Sequence, residues 1–112
     1  MRMSAYPLAM LAEECAMIIK ILSALAEPLR LEAICLLRDG RERCVCEIME
    51  KLFATQSRMS RHMQVLKQAG LVVDRRDAQW VRYRLNERLP DEVKAVLDAA
   101  IAARRTQERN AA

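Results

Sequence analysis

The 112-residue sequence has few of the residues that interrupt helices or build barrels: two glycines, three prolines and 4% aromatic residues. Sandwiches and barrels need frequent turns and many strand-forming side chains, so this scarcity argues against both classes. The hydrophobic residues make up 53% of the chain and are mainly Ala, Leu and Met, which favour helices. Length and composition therefore predict a single, mostly α-helical domain.

The sequence also lacks long apolar runs. No stretch reaches the roughly 20 apolar residues of a membrane span, and the start does not resemble a signal peptide. We therefore expect a cytoplasmic protein, no membrane partner, and reduced cysteines at positions 15, 35, 44 and 46. Cys44 and Cys46 are in addition too close in sequence for an ordinary disulfide. Clustered reduced cysteines more often bind metals or sense oxidants than join parts of a fold.

Basic charge is concentrated in one central stretch. Residues 56–88 contain eight Lys or Arg against three Asp or Glu, whereas residues 1–55 contain seven against eight. A local basic block in a nearly neutral chain predicts an anionic partner, nucleic acid before membrane. A solvated charged surface is the alternative interpretation of the same pattern.

Apolar residues spaced three and four apart predict five helices, and proline, glycine and capping residues mark several of their ends. The predicted helices are Leu8–Leu25, Pro28 to Asp39-Gly40, about Cys46–Phe53, Gln56 to about Ala69 with Thr55 as its N-cap, and one that Pro90 opens. A period of two on both sides of Asp77-Ala78 predicts a two-stranded hairpin from Leu71 to Leu85. The polar tail from Arg104 is expected to fray.

A short helix, a tight turn and a longer helix with a basic outer face are typical of a helix-turn-helix, and the hairpin after it makes a wing. The predicted fold class is a mostly α winged helix-turn-helix, a single domain over residues 1–112 that is folded from about 8 to 103. Gln pairs well with adenine and Arg with guanine, while Ser and Arg also bind phosphates. The candidate DNA-binding residues are Gln56, Ser57, Arg58, Ser60, Arg61, His62, Arg75, Arg76 and Arg82. The only histidine, His62, is interpreted as a surface or DNA-backbone contact, and no enzyme activity is expected because it has no catalytic pairing near it.

Three segments resemble the ArsR/SmtB family of winged-helix metalloregulatory repressors, most of all its arsenical-resistance operon repressors. They are Arg43-Cys-Val-Cys-Glu-Ile48, Gln56-Ser-Arg-Met-Ser-Arg-His62 and Gln79-Trp-Val-Arg-Tyr-Arg-Leu85. The resemblance covers roughly Ile19 to Ala103. It implies a homodimer through the first and last helices, which binds an imperfectly palindromic operator in double-stranded DNA and leaves it when an inducer binds.

Cys44 and Cys46 are the candidate inducer ligands, because thiolates suit As(III) or Sb(III), and alternatively Cd(II), Pb(II) or Zn(II). No cofactor is otherwise expected, and a thiol-oxidation sensor is a further alternative. Residues i and i+2 of a regular helix lie about 200° apart, so both sulfurs reach one ion only if Cys44 precedes the helix or the first turn unwinds. The helix start and the neighbouring Arg41 and Arg43 are expected to favour the thiolate.

The third ligand of this site is not evident from the sequence. Arsenical repressors commonly supply a cysteine three residues after the second one, where this chain has Met49. Cadmium-sensing relatives recruit N-terminal cysteines from the opposite subunit, so Cys15 is a candidate third metal ligand. Its place on the apolar seam of the first helix fits packing at the dimer interface as well. Cys35 is expected in the core. A winged-helix module that binds only protein is the alternative from another functional class.

Overall fold

The computed structural model describes the backbone of residues 8–111 and the side chains of residues 15–104. This part of the chain forms five helices and three strands: α1 Leu8–Leu25, α2 Pro28–Leu37, β1 Arg43–Cys44, α3 Val45–Leu52, α4 Gln56–Gln68, β2 Val72–Asp77, β3 Trp80–Leu85 and α5 Asp91–Ala111. The predicted winged helix-turn-helix class is thereby confirmed, with α3 and α4 as its two helices. Within the described residues, no helix is long and apolar enough to cross a membrane.

Capping residues fix where the helices begin, as the sequence predicts. Pro28 occupies the first turn of α2, and the Glu27 side chain accepts a hydrogen bond from the Arg30 N–H. Thr55 is the N-cap of α4, with its Oγ1 accepting from the Arg58 N–H at 3.3 Å. Gly70 follows α4 with a φ of +81°, which glycine adopts without steric cost.

The last helix is longer than the sequence analysis expects. Its backbone remains helical to Ala111, beyond Arg104, where the polar tail is expected to fray. The added segment contains neither glycine nor proline, so nothing in its sequence stops the helix.

The wing sheet contains a strand that the sequence analysis did not predict. Its antiparallel order is β1-β3-β2, so β3 pairs with the expected partner β2 and also with the two-residue strand β1. Arg43 lies opposite Tyr83, and Cys44 lies opposite Arg82. Two residues are too few to show a period, which is why β1 escapes a pattern-based prediction. The expected two-stranded hairpin is thus a three-stranded sheet.

A single hydrophobic core joins the helices to the inner face of the sheet. The predicted inward stripe of α4, Met59, Met63 and Leu66, is fully buried in it. Other fully buried members come from most of the remaining elements: Ile21, Ile34, Leu37, Ile48, Leu71, Val72 and Ile101. Cys35 is half-buried and packs against the edge of this core, so the expectation of a core cysteine is met only in part.

Candidate DNA-reading surface and thiol site

The outer face of α4 is built as a helix-turn-helix recognition helix needs it. Burial of Met59 and Met63 fixes the rotation of the helix, so that Gln56, Ser57, Arg58 and Arg61 are exposed, and Ser60 is half-buried beside them. The first turn therefore presents amide, hydroxyl and guanidinium groups to solvent, which are the groups that contact bases and phosphates. The structure brings five of the six predicted α4 residues to this surface.

His62 is the exception: it is half-buried and not on the outer face of α4, while its role as a DNA-backbone contact stays a prediction. Its side chain is only 15% exposed and lies against the start of α2. Its Nδ1 is 3.2 Å from Nη1 of Arg30 and 3.7 Å from Oε2 of Glu27. Helical spacing places His62 beside the buried Met59 and Met63, which turns the ring inward. The sequence alone contains no signal for Arg30 and Glu27 as its partners, because both are more than 30 residues away.

The predicted wing arginines are at the surface but two of them are already paired. Glu42 accepts two hydrogen bonds from Arg75, one of them from Nε at 3.0 Å, and this pairing holds the pKa of the Glu42 carboxyl below its usual value. Asp77 accepts from Nε of Arg82 at 2.7 Å, which likewise lowers the pKa of Asp77. Arg76 is exposed and forms no ion pair with any of the described residues. Sequence reasoning identified these arginines but missed the carboxylates that hold two of them.

The strand register connects the thiol site to the wing. Arg75 and Arg82 are direct cross-strand partners, so their side chains lie on the same face of the sheet. Cys44 lies opposite Arg82 on the other side of β3. The first cysteine of the candidate site is therefore part of the sheet that carries the basic wing.

Cys44 and Cys46 converge at the start of α3. Cys44 is the N-cap residue, with extended backbone at φ −66° and ψ 145°, and Cys46 lies in the first turn. Because Cys44 precedes the helix, the two Cα atoms are 5.2 Å apart and the two sulfurs meet in a disulfide. The expectation that they are too close in sequence for a disulfide is wrong, and the predicted condition for their convergence, Cys44 outside the helix, is met without unwinding α3.

The electrostatics of this site depend more on the helix start than on the arginines. The Cys46 N–H donates to Sγ of Cys44 at 3.3 Å, so the first turn of α3 supplies a hydrogen-bond donor to this sulfur. Arg43, by contrast, donates to Glu47, to Asp39 at 2.9 Å and to the Leu36 carbonyl at 2.9 Å. These partners, Glu47 foremost, raise the pKa of Arg43 and balance its charge.

The other candidate ligands are not gathered at this pair. Cys15 is exposed on α1, Cys35 is half-buried and Met49 is half-buried on α3. Among the described residues, no group of three or more His, Cys, Asp or Glu side chains is placed to hold one metal ion. Cys44 and Cys46 thus bring two sulfurs together within one chain, with Cys44 buried and Cys46 exposed.

Comparisons with known proteins agree with this architecture. The family model "Bacterial regulatory protein, arsR family" matches residues 27–73, from the N-cap of α2 into β2. The arsenical resistance operon repressor of Escherichia coli (strain K12) is 35% identical over 82 residues, which cover 73% of this chain and 70% of the relative. The arsenic resistance transcriptional regulator ArsR2 of Pseudomonas putida is 39% identical over 83 residues, covering 74% and 72%.

A solved structure supports the same assignment. The homodimeric winged helix-turn-helix DNA-binding domain Mb0332 of Mycobacterium bovis superposes with a TM-score of 0.67 at 26% identity, covering 92% of this chain and 89% of that one. Identity above 30% over more than two thirds of the relatives extends the agreement from fold to family. The chain belongs to the arsR family of bacterial regulatory proteins.

Proposed function

We propose that this protein is a dimeric transcriptional repressor that binds a palindromic operator and is released when As(III) or Sb(III) binds Cys44 and Cys46. The observation that carries the proposal is the convergence of the two sulfurs at the start of α3, directly before the recognition helix. The names of two relatives, an arsenical resistance operon repressor and an arsenic resistance transcriptional regulator, point to the same inducer class.

Operator binding is supported by the exposed first turn of α4 and by the wing. Arg58 and Arg61 project from one end of a helix that a major groove can admit, and Arg76 extends the positive charge onto the wing. The relative from Mycobacterium bovis is described as a DNA-binding domain. We expect Arg58→Ala or Arg61→Ala to weaken operator binding by about 1–3 kcal/mol if the residue reads a base.

Dimerisation is supported by an apolar stripe on α1. Cys15, Ile19 and Leu22 are spaced four and three apart and therefore share one face of the helix. All three are exposed in the single chain, Ile19 at 59% and Leu22 at 47%. A second copy that covers this face gives a dimer with two recognition helices related by a two-fold axis. A palindromic operator, with its two half-sites, requires this arrangement.

The donor set suits a soft, thiophilic inducer. The two sulfurs converge at one helix start and Cys46 is open to solvent, so on reduction they offer two soft donors to one ion. As(III) prefers three sulfurs, and Met49 offers only a thioether at the position where a third cysteine is expected. The third ligand is therefore proposed to come from outside this helix, and the response of Cys15→Ser tests whether Cys15 of the opposite subunit supplies it.

Binding at this site has a direct route to both DNA-reading elements. Cys44 ends β1, which pairs with β3 of the wing, while Cys46 lies in α3, which packs on α4. An inducer bound to both sulfurs sets the distance between them by its own bond lengths. It therefore favours a different backbone conformation of residues 44–46. That conformation fits the operator less well, so inducer binding and DNA binding oppose each other.

The test is operator binding by the reduced protein, measured by fluorescence anisotropy during titration with As(III), Sb(III), Cd(II), Zn(II) or peroxide. We expect release by As(III) or Sb(III) at the lowest concentration. The double variant Cys44→Ser/Cys46→Ser should bind the operator normally and no longer respond, since serine keeps the shape but removes the soft sulfur. Cys35→Ser is the matched control and should respond like the wild type.

Other outcomes identify the alternatives. Release by Cd(II) or Zn(II) alone indicates a divalent-metal sensor, and release by peroxide without any metal indicates a thiol-oxidation sensor. A reduced wild-type protein that binds no palindromic duplex contradicts the repressor proposal and favours a module that binds protein only.

A further inference from the structure

A cleft lies between the start of α2 and the recognition helix, beside the surface proposed to read DNA. Its volume is about 490 Å³, and its lining combines cationic and polar side chains: Glu27, Arg30, Thr55, Arg58, Arg61, His62 and Val65. Three guanidinium groups face one carboxylate, so the cleft carries a net positive charge. An anion of phosphate size matches its charge and its hydrogen-bond donors.

The hydrogen bond between Arg30 and His62 fixes the protonation pattern of the histidine ring. Nη1 of Arg30 lies 3.2 Å from Nδ1 of His62. A guanidinium can only donate hydrogen bonds, so Nδ1 must accept and carries no proton. In the neutral ring the proton is then on Nε2, on the opposite side of the ring, and this N–H is the donor that we assign to the cleft that His62 lines.

Arg30 is itself held in place on two other sides. Its Nε donates to the Ala24 carbonyl at 2.6 Å, in the last turn of α1, where carbonyl groups lack a partner within the helix. Its backbone N–H donates to Oε2 of Glu27 at 2.9 Å. Arg30 therefore joins the end of α1, the start of α2 and one side chain of α4, and its guanidinium cannot turn away from His62 without losing the contact with the Ala24 carbonyl.

We propose that Arg30 is a positioning residue that locks His62 as the Nε2–H tautomer, and that this N–H donates to a backbone phosphate of DNA seated in the cleft beside Arg58 and Arg61. The inference rests on the proposed DNA-binding function and assigns one defined phosphate contact to a residue that is mostly buried. Arg30 acts through His62, because its Nε and Nη1 already contact the Ala24 carbonyl and His62 within the protein.

The first experiment separates a positioning role from a direct phosphate contact. Arg30→Met removes the charge together with the contacts to the Ala24 carbonyl and His62. We expect operator affinity to fall about tenfold while the log–log slope against salt stays at the wild-type value, because Arg30 itself neutralises no phosphate. Arg61→Met should instead reduce that slope by about 0.9, the value for one phosphate neutralised. Arg38→Met, at an exposed arginine of the same helix region, is the matched control and should bind like the wild type. Wild-type affinity for Arg30→Met, or a slope reduced as in Arg61→Met, overturns the proposal.

The second experiment observes the tautomer without DNA. Because the chain has one histidine, the imidazole ¹⁵N signals of the labelled protein belong to His62 alone. At pH 8 we expect the pattern of a single Nε2–H tautomer, and a mixture of tautomers in Arg30→Met. A proton on Nδ1 in the wild type overturns the proposal. This measurement does not depend on operator binding. Failure of the tautomer proposal can therefore be told apart from failure of the repressor proposal.

Side-chain amides test which ring nitrogen meets the DNA. The amide of glutamine can stand in for Nε2, and that of asparagine for Nδ1. We expect His62→Gln to keep operator affinity within a few-fold, and His62→Asn to lose at least tenfold more. Equal losses in the two variants contradict an Nε2–H contact. Inorganic phosphate at the same concentration as DNA phosphate should leave the His62 signals unchanged, since the site is proposed for a phosphate held by the duplex.

Discussion

At the scale of single residues, Phe53 is the clearest conflict between side chain and backbone. It ends α3 in the left-handed region, at φ 53° and ψ 47°, and its side chain is 96% exposed. This conformation costs a residue with a Cβ about 1–2 kcal/mol, whereas glycine adopts it freely. In the single chain, the Phe53 side chain therefore gains no packing energy that would offset the cost of this backbone conformation.

Replacing Phe53 by glycine should therefore stabilise the protein. We expect Phe53→Gly to raise the free energy of unfolding by about 1 kcal/mol, the backbone strain less the extra entropy of glycine in the unfolded chain. Urea denaturation measures this change. Phe53→Ala is the control, since it removes the ring but keeps the strained conformation, and it should give no gain. An equal gain in both variants shows that exposure of the ring, and not the backbone, is the cause.

At the scale of elements, helices were more predictable than the contacts between distant segments. Pro28, Thr55 and Gly70 mark helix ends through local chemistry, and Met59 with Met63 reveals the buried face of α4 by spacing alone. These effects depend on residues within one helical turn of each other, so they can be predicted from the sequence.

Three of the missed features depend on long-range pairing. Strand β1 forms because residues 43–44 meet β3, which is about 40 residues away, and His62 turns inward because Arg30 receives it. The disulfide between Cys44 and Cys46 follows from the extended backbone of Cys44, which the strand pairing imposes. The residues of the candidate site could be chosen from the sequence, but their partners could not.

The wing shows how such partners adjust function. Arg75 is bound to Glu42, so a DNA phosphate must compete with a carboxylate that is already in place. Glu42→Gln removes that competing charge and should raise operator affinity a few-fold, with a steeper salt dependence because Arg75 then neutralises a phosphate. Anisotropy at several salt concentrations measures both effects. Glu92→Gln, which removes an exposed carboxylate at the start of α5, controls for the change in net charge. Lower affinity in Glu42→Gln means that Glu42 positions Arg75 for DNA.

At the scale of the whole molecule, α1 and α5 have one face in the core and another without cover in the single chain. Ile21 of α1 and Ile101 of α5 are buried, while Ile19, Leu22, Ala95 and Ala99 are exposed. An ion pair between Arg104 and Glu32, with both contacts at 2.7 Å, ties α5 to α2. The outer faces are thereby held on a rigid body, as a shared interface requires.

Disrupting this face should abolish operator binding without touching the recognition helix. Leu22→Glu places a charge on the α1 stripe, and we expect a monomer that loses at least a hundredfold in operator affinity, because each half-site is then bound alone. Sedimentation equilibrium gives the oligomeric state. Met17→Glu is the matched control, since Met17 is equally exposed on α1 but projects about 160° away from Ile19. A dimeric Leu22→Glu protein places the subunit interface elsewhere.

Cys15 lies on the same stripe, and its two interpretations make different predictions for the assembled dimer. As a ligand from the opposite subunit, it contributes its sulfur to the ion bound at Cys44 and Cys46. As a packing residue, it stays between Ile19 and the partner helix, which is the environment that its exposed position on α1 provides.

We therefore expect Cys15→Ser to leave the As(III) concentration for half-release of the operator unchanged. Its cost should appear in the dimer, as a dissociation constant raised by a few-fold, because a hydroxyl is less well accommodated than a thiol at an apolar contact. Titrating release in Cys15→Ser beside Cys35→Ser measures the first effect, and sedimentation measures the second. A much higher As(III) requirement in Cys15→Ser alone identifies Cys15 as the third sulfur and makes the inducer site a property of the dimer.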